Sequence, residues 1–88
     1  MTYEVEITPE GLRHLNRLPE KVRAAVIEAI FGSIAENPQR AGKPLTGELG
    51  GLRSARRGEF RVIYEIDEAA RVVLVHRAQH RRSVYRRR

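Results

Sequence analysis

The 88-residue chain contains no cysteine. That excludes a disulfide framework, a Cys-based zinc site and a thiol nucleophile, so its core needs no covalent or Cys-bound metal staple. A reducing compartment is compatible with this composition but does not follow from it. No run approaches the roughly 18 apolar residues of a membrane span, and the opening Met1-Thr2-Tyr3-Glu4 lacks the basic start and apolar stretch of a secretory signal. A cytoplasmic protein without a membrane segment is expected. Enzyme signatures are also scarce. There is no Walker loop, no G-x-G-x-x-G and no H-E-x-x-H, and His14, His76 and His80 are not at metal-ligand spacing. Neither a metal nor another cofactor is expected. Ser33, Ser54 and Ser83 keep a hydrolytic triad open by count, but none sits in a nucleophile-elbow context.

What is present is one small globular domain spanning residues 1–88, too apolar at 41% hydrophobic to be disordered on composition. At this size folding buries only about 60% of the unfolded chain's surface, so a modest core and a stabilising partner are expected. The net charge of +6 is unevenly spread. Residues 1–44 carry six basic and six acidic side chains, whereas residues 45–88 carry eleven arginines against five acids. Fifteen of the seventeen cations are Arg, whose planar fork binds phosphate oxygens in pairs and stacks on bases. The excess points to nucleic acid or an acidic protein partner, although a GC-biased genome also yields arginine-rich surfaces.

Tyr3, Val5 and Ile7 alternate with Glu4 and Glu6 as in a half-exposed strand, and Thr8-Pro9 supplies a helix start. Leu12, Leu15 and Leu18 describe a short helix closed by Pro19. From Glu20, Val22, Val26, Ile30 and Ile34, widened by Ala25, Ala29 and Phe31, predict a four-to-five-turn amphipathic helix ending at Asn37-Pro38. Residues 8–37 therefore read as a helical hairpin. The Gly- and Pro-rich stretch from Gln39 to Gly51 reads as a long connecting loop. Three strands follow: Leu52 to Arg57, then a Gly58-Glu59 turn into Phe60 to Ile66, then Val72 to Arg77 after a turn at Asp67 to Ala70. The tail from Gln79 to Arg88 reads as one or two helical turns or as a frayed end.

This order gives an α+β fold: an N-terminal strand, a two-helix hairpin and a three-stranded antiparallel meander, forming a four-stranded sheet with helices on one face. On the central strand Phe60, Val62, Tyr64 and Ile66 point to the helices, which sends Arg61 to the opposite, open face. Arg53, Arg56 and Arg57 lie on the strand before it, Arg77 on the strand after it, and His80, Arg81, Arg82 and Tyr85 beyond that strand's end. Side chains distant in sequence converge in such a meander, and clustered cations call for an anion. With an RNA phosphodiester they can do chemistry. Attack of a 2′-hydroxyl on the adjacent phosphorus builds charge on the non-bridging oxygens that Arg61 and Arg81 can stabilise. His80 is a natural acid or base, and Tyr85 can donate to the leaving oxygen or stack on a base. The plainer alternatives are a solvated Arg61, a strand-capping His80 and a packing Tyr85.

Two segments, Ser54 to Asp67 and Val75 to Arg86, carry the R-x-G-[DE]-[YF]-R-[VL]-[IVL]-Y block and the H-R-R-x-x-Y-R ending. With the opening strand, the hairpin and Gly42-Lys43-Pro44-Leu45, the chain resembles the RelE/ParE superfamily of toxin–antitoxin toxins, on the RelE side, over its whole length. The resemblance implies a RelE-like fold with a short C-terminal helical tail. It also implies a metal-independent endoribonuclease that cuts mRNA in the ribosomal A site and is neutralised by a cognate antitoxin, RelB-like or other. Arg61 matches the central-strand arginine at the scissile phosphate, Arg81 the arginine after the last strand, and Tyr85 the C-terminal tyrosine. Lys43, Arg53, Arg56, Arg57, Arg77, Arg82 and Arg86 are the expected RNA-binding cations. Arg53 and Arg56 stand on the strand where some relatives carry lysine; arginine hardly deprotonates, so a lysine-type base is not expected there, and His80 is the candidate base. The alternatives are a ParE-like gyrase inhibitor and a non-catalytic ribosome- or RNA-binding domain.

Overall fold

In the computed structural model, which describes residues 2–84, the alternation at the start of the chain forms strand β1 (Glu4–Ile7). Thr8 ends it and starts the next element. Its Oγ1 accepts the Gly11 N–H at 3.0 Å, and Pro9 takes the first turn of helix α1 (Pro9–Arg17), where a missing N–H costs nothing. Pro19 separates α1 from α2 (Glu20–Ala29). Arg23 holds the corner by donating to the Leu15 and Leu18 carbonyls at 3.1 and 3.0 Å.

The sequence predicts one continuous α-helix to Asn37, but α2 passes into a π-helical turn over Ile30–Ile34. Side-chain spacing gives the reason. Val22, Val26, Ile30 and Ile34 recur every four residues, a drift of about 40° per step around a 3.6-residue helix. A wider turn takes up the drift. Val26, Ile30 and Ile34 are all fully buried, while Phe31, expected to widen the apolar stripe, is exposed.

After α3 (Pro38–Ala41) come β2 (Lys43–Pro44), β3 (Arg53–Arg57), β4 (Phe60–Asp67), β5 (Val72–His80) and a short α4 (Arg81–Val84). The sheet order is β1-β5-β4-β3-β2, with β1 parallel to β5 and the other pairs antiparallel. The α+β layering is as expected, but the sheet has five strands rather than four. The additional strand lies in the segment read as loop: two residues, Lys43 opposite Ser54 and Pro44 opposite Arg53, too short to show a period. Proline is tolerated there because the strand is an edge.

β5 also runs three residues beyond the expected Arg77. Tyr64 pairs with Val75 but Ile63 with Arg77, leaving His76 as the extra residue of a β-bulge. The bulge lets Val75 and Ala78, an odd number of residues apart, reach the same core. That core lies between the helices and the face formed by Ala55, Val62, Tyr64, Val73, Val75 and Ala78. Since β1 ends opposite Val75, α1 covers the remaining edge of β5; there the Ala78 N–H, with no strand beside it, donates to His14 Nδ1 at 3.2 Å. Among the described residues no helix is long and apolar enough to cross a membrane.

Candidate nucleic-acid interface

Strand alternation and register place the sequence-derived residues on two different faces. On β4, Val62 and Tyr64 belong to the core, so Arg61 and Ile63 project from the opposite side. Directly across from Arg61 stand Arg56 on β3 and Gln79 on β5. In the adjoining row Lys43, Ser54, Ile63 and Arg77 follow one another across β2 to β5. Lys43, Arg56, Arg61 and Arg77 therefore share one face.

The electrostatics of this face are uncompensated at its centre. Like charges directly opposite on neighbouring strands are destabilising, and neither Arg56 nor Arg61 has an ion pair among the described residues. Arg61 Nε and, in the residue beside it, Gln79 Oε1 are buried with no hydrogen-bond partner among these residues. Ser54 Oγ, one row away, is in the same condition. A buried unpaired polar group costs about 1–3 kcal/mol, a cost that a polyanionic ligand can remove. Arg77 is partly balanced, its Nε lying 3.7 Å from Glu10 Oε2.

Other expected cations serve the fold. Arg53 donates to the Gln39 carbonyl at 2.8 Å and the Gly42 carbonyl at 3.2 Å, closing the connection between α3 and β2. It lies on the helix side opposite Tyr64, whose hydroxyl donates to the Pro38 carbonyl at 2.6 Å and whose pKa is raised by burial. Arg57 bonds Glu28 of α2 at 2.7 Å. His80 shares the face of Phe60, against which its ring packs edge-on at 5.4 Å, and its Nδ1 accepts the Arg82 N–H at 3.3 Å. The structure thus does not bring Arg53, Arg57 or His80 onto the Arg61 face. Arg81 and Arg82 open α4, both exposed. Arg81 Nε lies 3.0 Å from Glu59 Oε1 and its N–H donates to the Glu59 carbonyl at 2.8 Å. Tyr85 and Arg86 lie outside the described residues. Of the other residues on or beside this face, Ser54 enters the sequence reading only as a possible triad serine, although the alternation of β3 indicates its face; Gln79 reaches the face only through the bulge at His76, and the Glu59–Arg81 pair has no local signature. Among the described residues no group of three or more His, Asp or Glu is placed to hold a metal ion.

Below this face, the β5 edge carries a pH dependence. His14 Nδ1 can accept the Ala78 N–H only while unprotonated. Burial lowers the His14 pKa, helped by Arg17, Arg77 and Arg13 and opposed by Glu10. The folded protein therefore favours neutral His14, and this stabilisation is complete above the unfolded value of 6.5 and is lost as pH falls through the lower folded-state value. Urea midpoints should fall between about pH 7 and about pH 5, with a shallower fall in His14→Gln. Equal slopes in the two proteins would contradict this role.

Comparison with known proteins agrees with the fold. Residues 5–85 match the family model described as the ParE toxin of the type II toxin–antitoxin system parDE, and the chain belongs to this toxin family. The chain is also similar to toxins named RelE and RelG. The chain is 51% identical over 82 residues to Toxin RelE of Mycobacterium tuberculosis, covering 92% of this chain and 84% of that one. It is 45% identical over 87 residues to Toxin RelG of the same organism, covering 99% and 100%. Among solved structures, a chain of the M. tuberculosis toxin–antitoxin complex RelBE2 superposes with a TM-score of 0.88 at 42% identity, covering 91% of this chain and 92% of that one.

Proposed function

We propose that the protein is a ribosome-dependent endoribonuclease that cleaves mRNA in the ribosomal A site, blocks translation and is held inactive by a cognate antitoxin. The observation that carries the reading is the cross-strand pair Arg56–Arg61, unneutralised among the described residues, with a buried unpaired donor at Arg61 Nε. In the reaction the 2′-oxygen forms a bond to phosphorus, the bond to the 5′-oxygen breaks, the 2′-proton goes to a base and the leaving oxygen receives a proton. The products are a 2′,3′-cyclic phosphate and a 5′-hydroxyl. Arg61 and Arg81 stabilise the charge gathering on the non-bridging oxygens, and Lys43, Arg56, Arg77, Arg82 and Arg86 hold the strand. Proton transfer is assigned to His80 and Tyr85, the sequence neighbours of Arg81, although the His80 ring lies on the Phe60 side of the sheet and would have to reach the phosphate around the end of β5. Cleavage rate and pH–rate profile both unaltered in His80→Gln would remove His80 from that role.

An antitoxin segment that folds on binding and lays acidic and apolar side chains on the basic face would inactivate the site. The similar RelBE2 structure is a toxin–antitoxin complex. A second reading, a ParE-like inhibitor of DNA gyrase, is kept because residues 5–85 match the ParE toxin family. One experiment separates them. The protein is added to a translating extract, with mRNA 5′ ends mapped, and to a gyrase supercoiling reaction. In-frame cuts that require ribosomes, with supercoiling unaffected, support the ribonuclease; intact mRNA with blocked supercoiling supports the gyrase reading.

A further inference from the structure

We propose that Glu59, at the tip of the β3–β4 hairpin, is a positioning residue that holds the Arg81 guanidinium ready for the scissile phosphate; the proposal rests on the ribonuclease reading above. Glu59 grips Arg81 at two points. Its carbonyl accepts the Arg81 N–H at 2.8 Å, and its carboxylate Oε1 lies 3.0 Å from Arg81 Nε. The carboxylate approaches the guanidinium at Nε. No residue other than Glu59 pairs with the guanidinium among the described residues, so the edge that grips two phosphate oxygens is left to a ligand.

The tip that carries Glu59 is itself anchored. Gly58 makes the turn at φ 61°, a left-handed conformation that glycine adopts without strain. Arg57 ties the tip to α2 through Glu28, and Phe60 packs edge-on against His80, the residue before Arg81. A chain of contacts therefore runs from α2 through Arg57 and the hairpin to Glu59 and Arg81. An arginine at the start of a four-residue helix has many rotamers open to it, and Glu59 selects among them before substrate arrives. Preorganisation of this kind acts on the rate of the bound complex rather than on capture.

The sign of the effect separates positioning from simple electrostatics. Glu59 carries a negative charge beside a cationic site, so removing it favours RNA capture, whereas removing its grip slows the step after capture. Single-turnover cleavage of mRNA in programmed ribosomes gives both the rate at saturation and the half-saturating concentration. Glu59→Ala is expected to lower the saturated rate roughly 10-fold with an unchanged or lower half-saturating concentration. Glu59→Gln, whose amide oxygen can occupy the carboxylate's place beside Nε, should stay within about 3-fold of the parent. In an Arg81→Ala background, Glu59→Ala should have no further effect.

An activity-independent readout accompanies these: the Arg81 Nε–H resonance, identified by its loss in Arg81→Lys, should persist in the parent and Glu59→Gln and vanish by rapid exchange in Glu59→Ala. The proposal is overturned if Glu59→Ala keeps the full saturated rate, if the Ala and Gln variants are equally slow, or if the resonance survives in Glu59→Ala. If Arg61→Ala and Arg81→Ala lose cleavage while Glu59→Ala does not, the positioning role alone falls. If the parent makes no cuts but the resonance responds as described, the ribonuclease reading falls and the Glu59 grip stands.

Discussion

Replacing Arg61 by alanine should lower the rate of ribosome-dependent mRNA cleavage about 10²–10³-fold, the usual loss when one donor to a developing oxyanion is removed. Lysine at the same position should recover only part of the loss, because a single ammonium replaces a planar fork that spans two oxygens. Stability should move in the other direction or not at all. Arg61 faces Arg56 across the strands and has a buried Nε with no partner among the described residues, so its removal relieves both a like-charge contact and an unsatisfied donor. An Arg61→Ala protein that is inactive and as resistant to urea as the parent identifies a cation kept for its ligand. Equal loss of activity and stability would mark Arg61 as a structural residue instead.

Gly11→Ala should destabilise the protein by about 1–3 kcal/mol, the reverse of the gain of about 1 kcal/mol that alanine normally brings to a helix interior. Gly11 sits on α1 where it crosses β5. An added Cβ would lie 2.7 Å from the Val75 carbonyl oxygen and 3.1 Å from Ile7 Cγ2. That carbonyl is already fixed by the Thr8 N–H at 2.9 Å, so neither partner can yield without moving α1 from the strand it covers. Gly32, in the π-helical turn, is the control: a Cβ there meets nothing within 4 Å, and alanine should be neutral or stabilising. A urea titration of the two variants checks the pair. A stabilised Gly11→Ala would mean that α1 lies farther from β5.

Both cases show what the sequence makes legible. Phe60 to Ile66 alternates cleanly, so the face carrying Arg61 could be read before any coordinates, as could the strand–hairpin–meander order. The bulge at His76 could not. It depends on Tyr64 and Ile63 pairing with residues two apart on β5, a choice made by packing Val75 and Ala78 on one core and written in no local pattern. β2 is two residues long and exists only because Ser54 and Arg53 lie beside it. The helix from Glu20 is visible in the sequence, but its four-residue spacing describes a wide stripe as readily as a change of helical pitch. In the candidate site, counting arginines overstated the cluster. Arg53 and Arg57 alternate onto the helix side, where they bond main-chain carbonyls and Glu28. The pairing of Glu59 with Arg81 joins residues 22 positions apart whose proximity follows from the β4–β5 register, with Phe60 opposite His80.

On the proposed reading, the cationic face cuts RNA by turning the message's own 2′-hydroxyl on the neighbouring phosphate. The most direct measurement uses ribosomes programmed with mRNA carrying a single 2′-deoxynucleotide immediately 5′ of the bond cut in the all-ribose message. The all-ribose message should be cut to a 2′,3′-cyclic phosphate and a 5′-hydroxyl, and the 2′-deoxy message should stay intact at that bond. Cleavage of both messages at the same bond, or of neither, would contradict this reading.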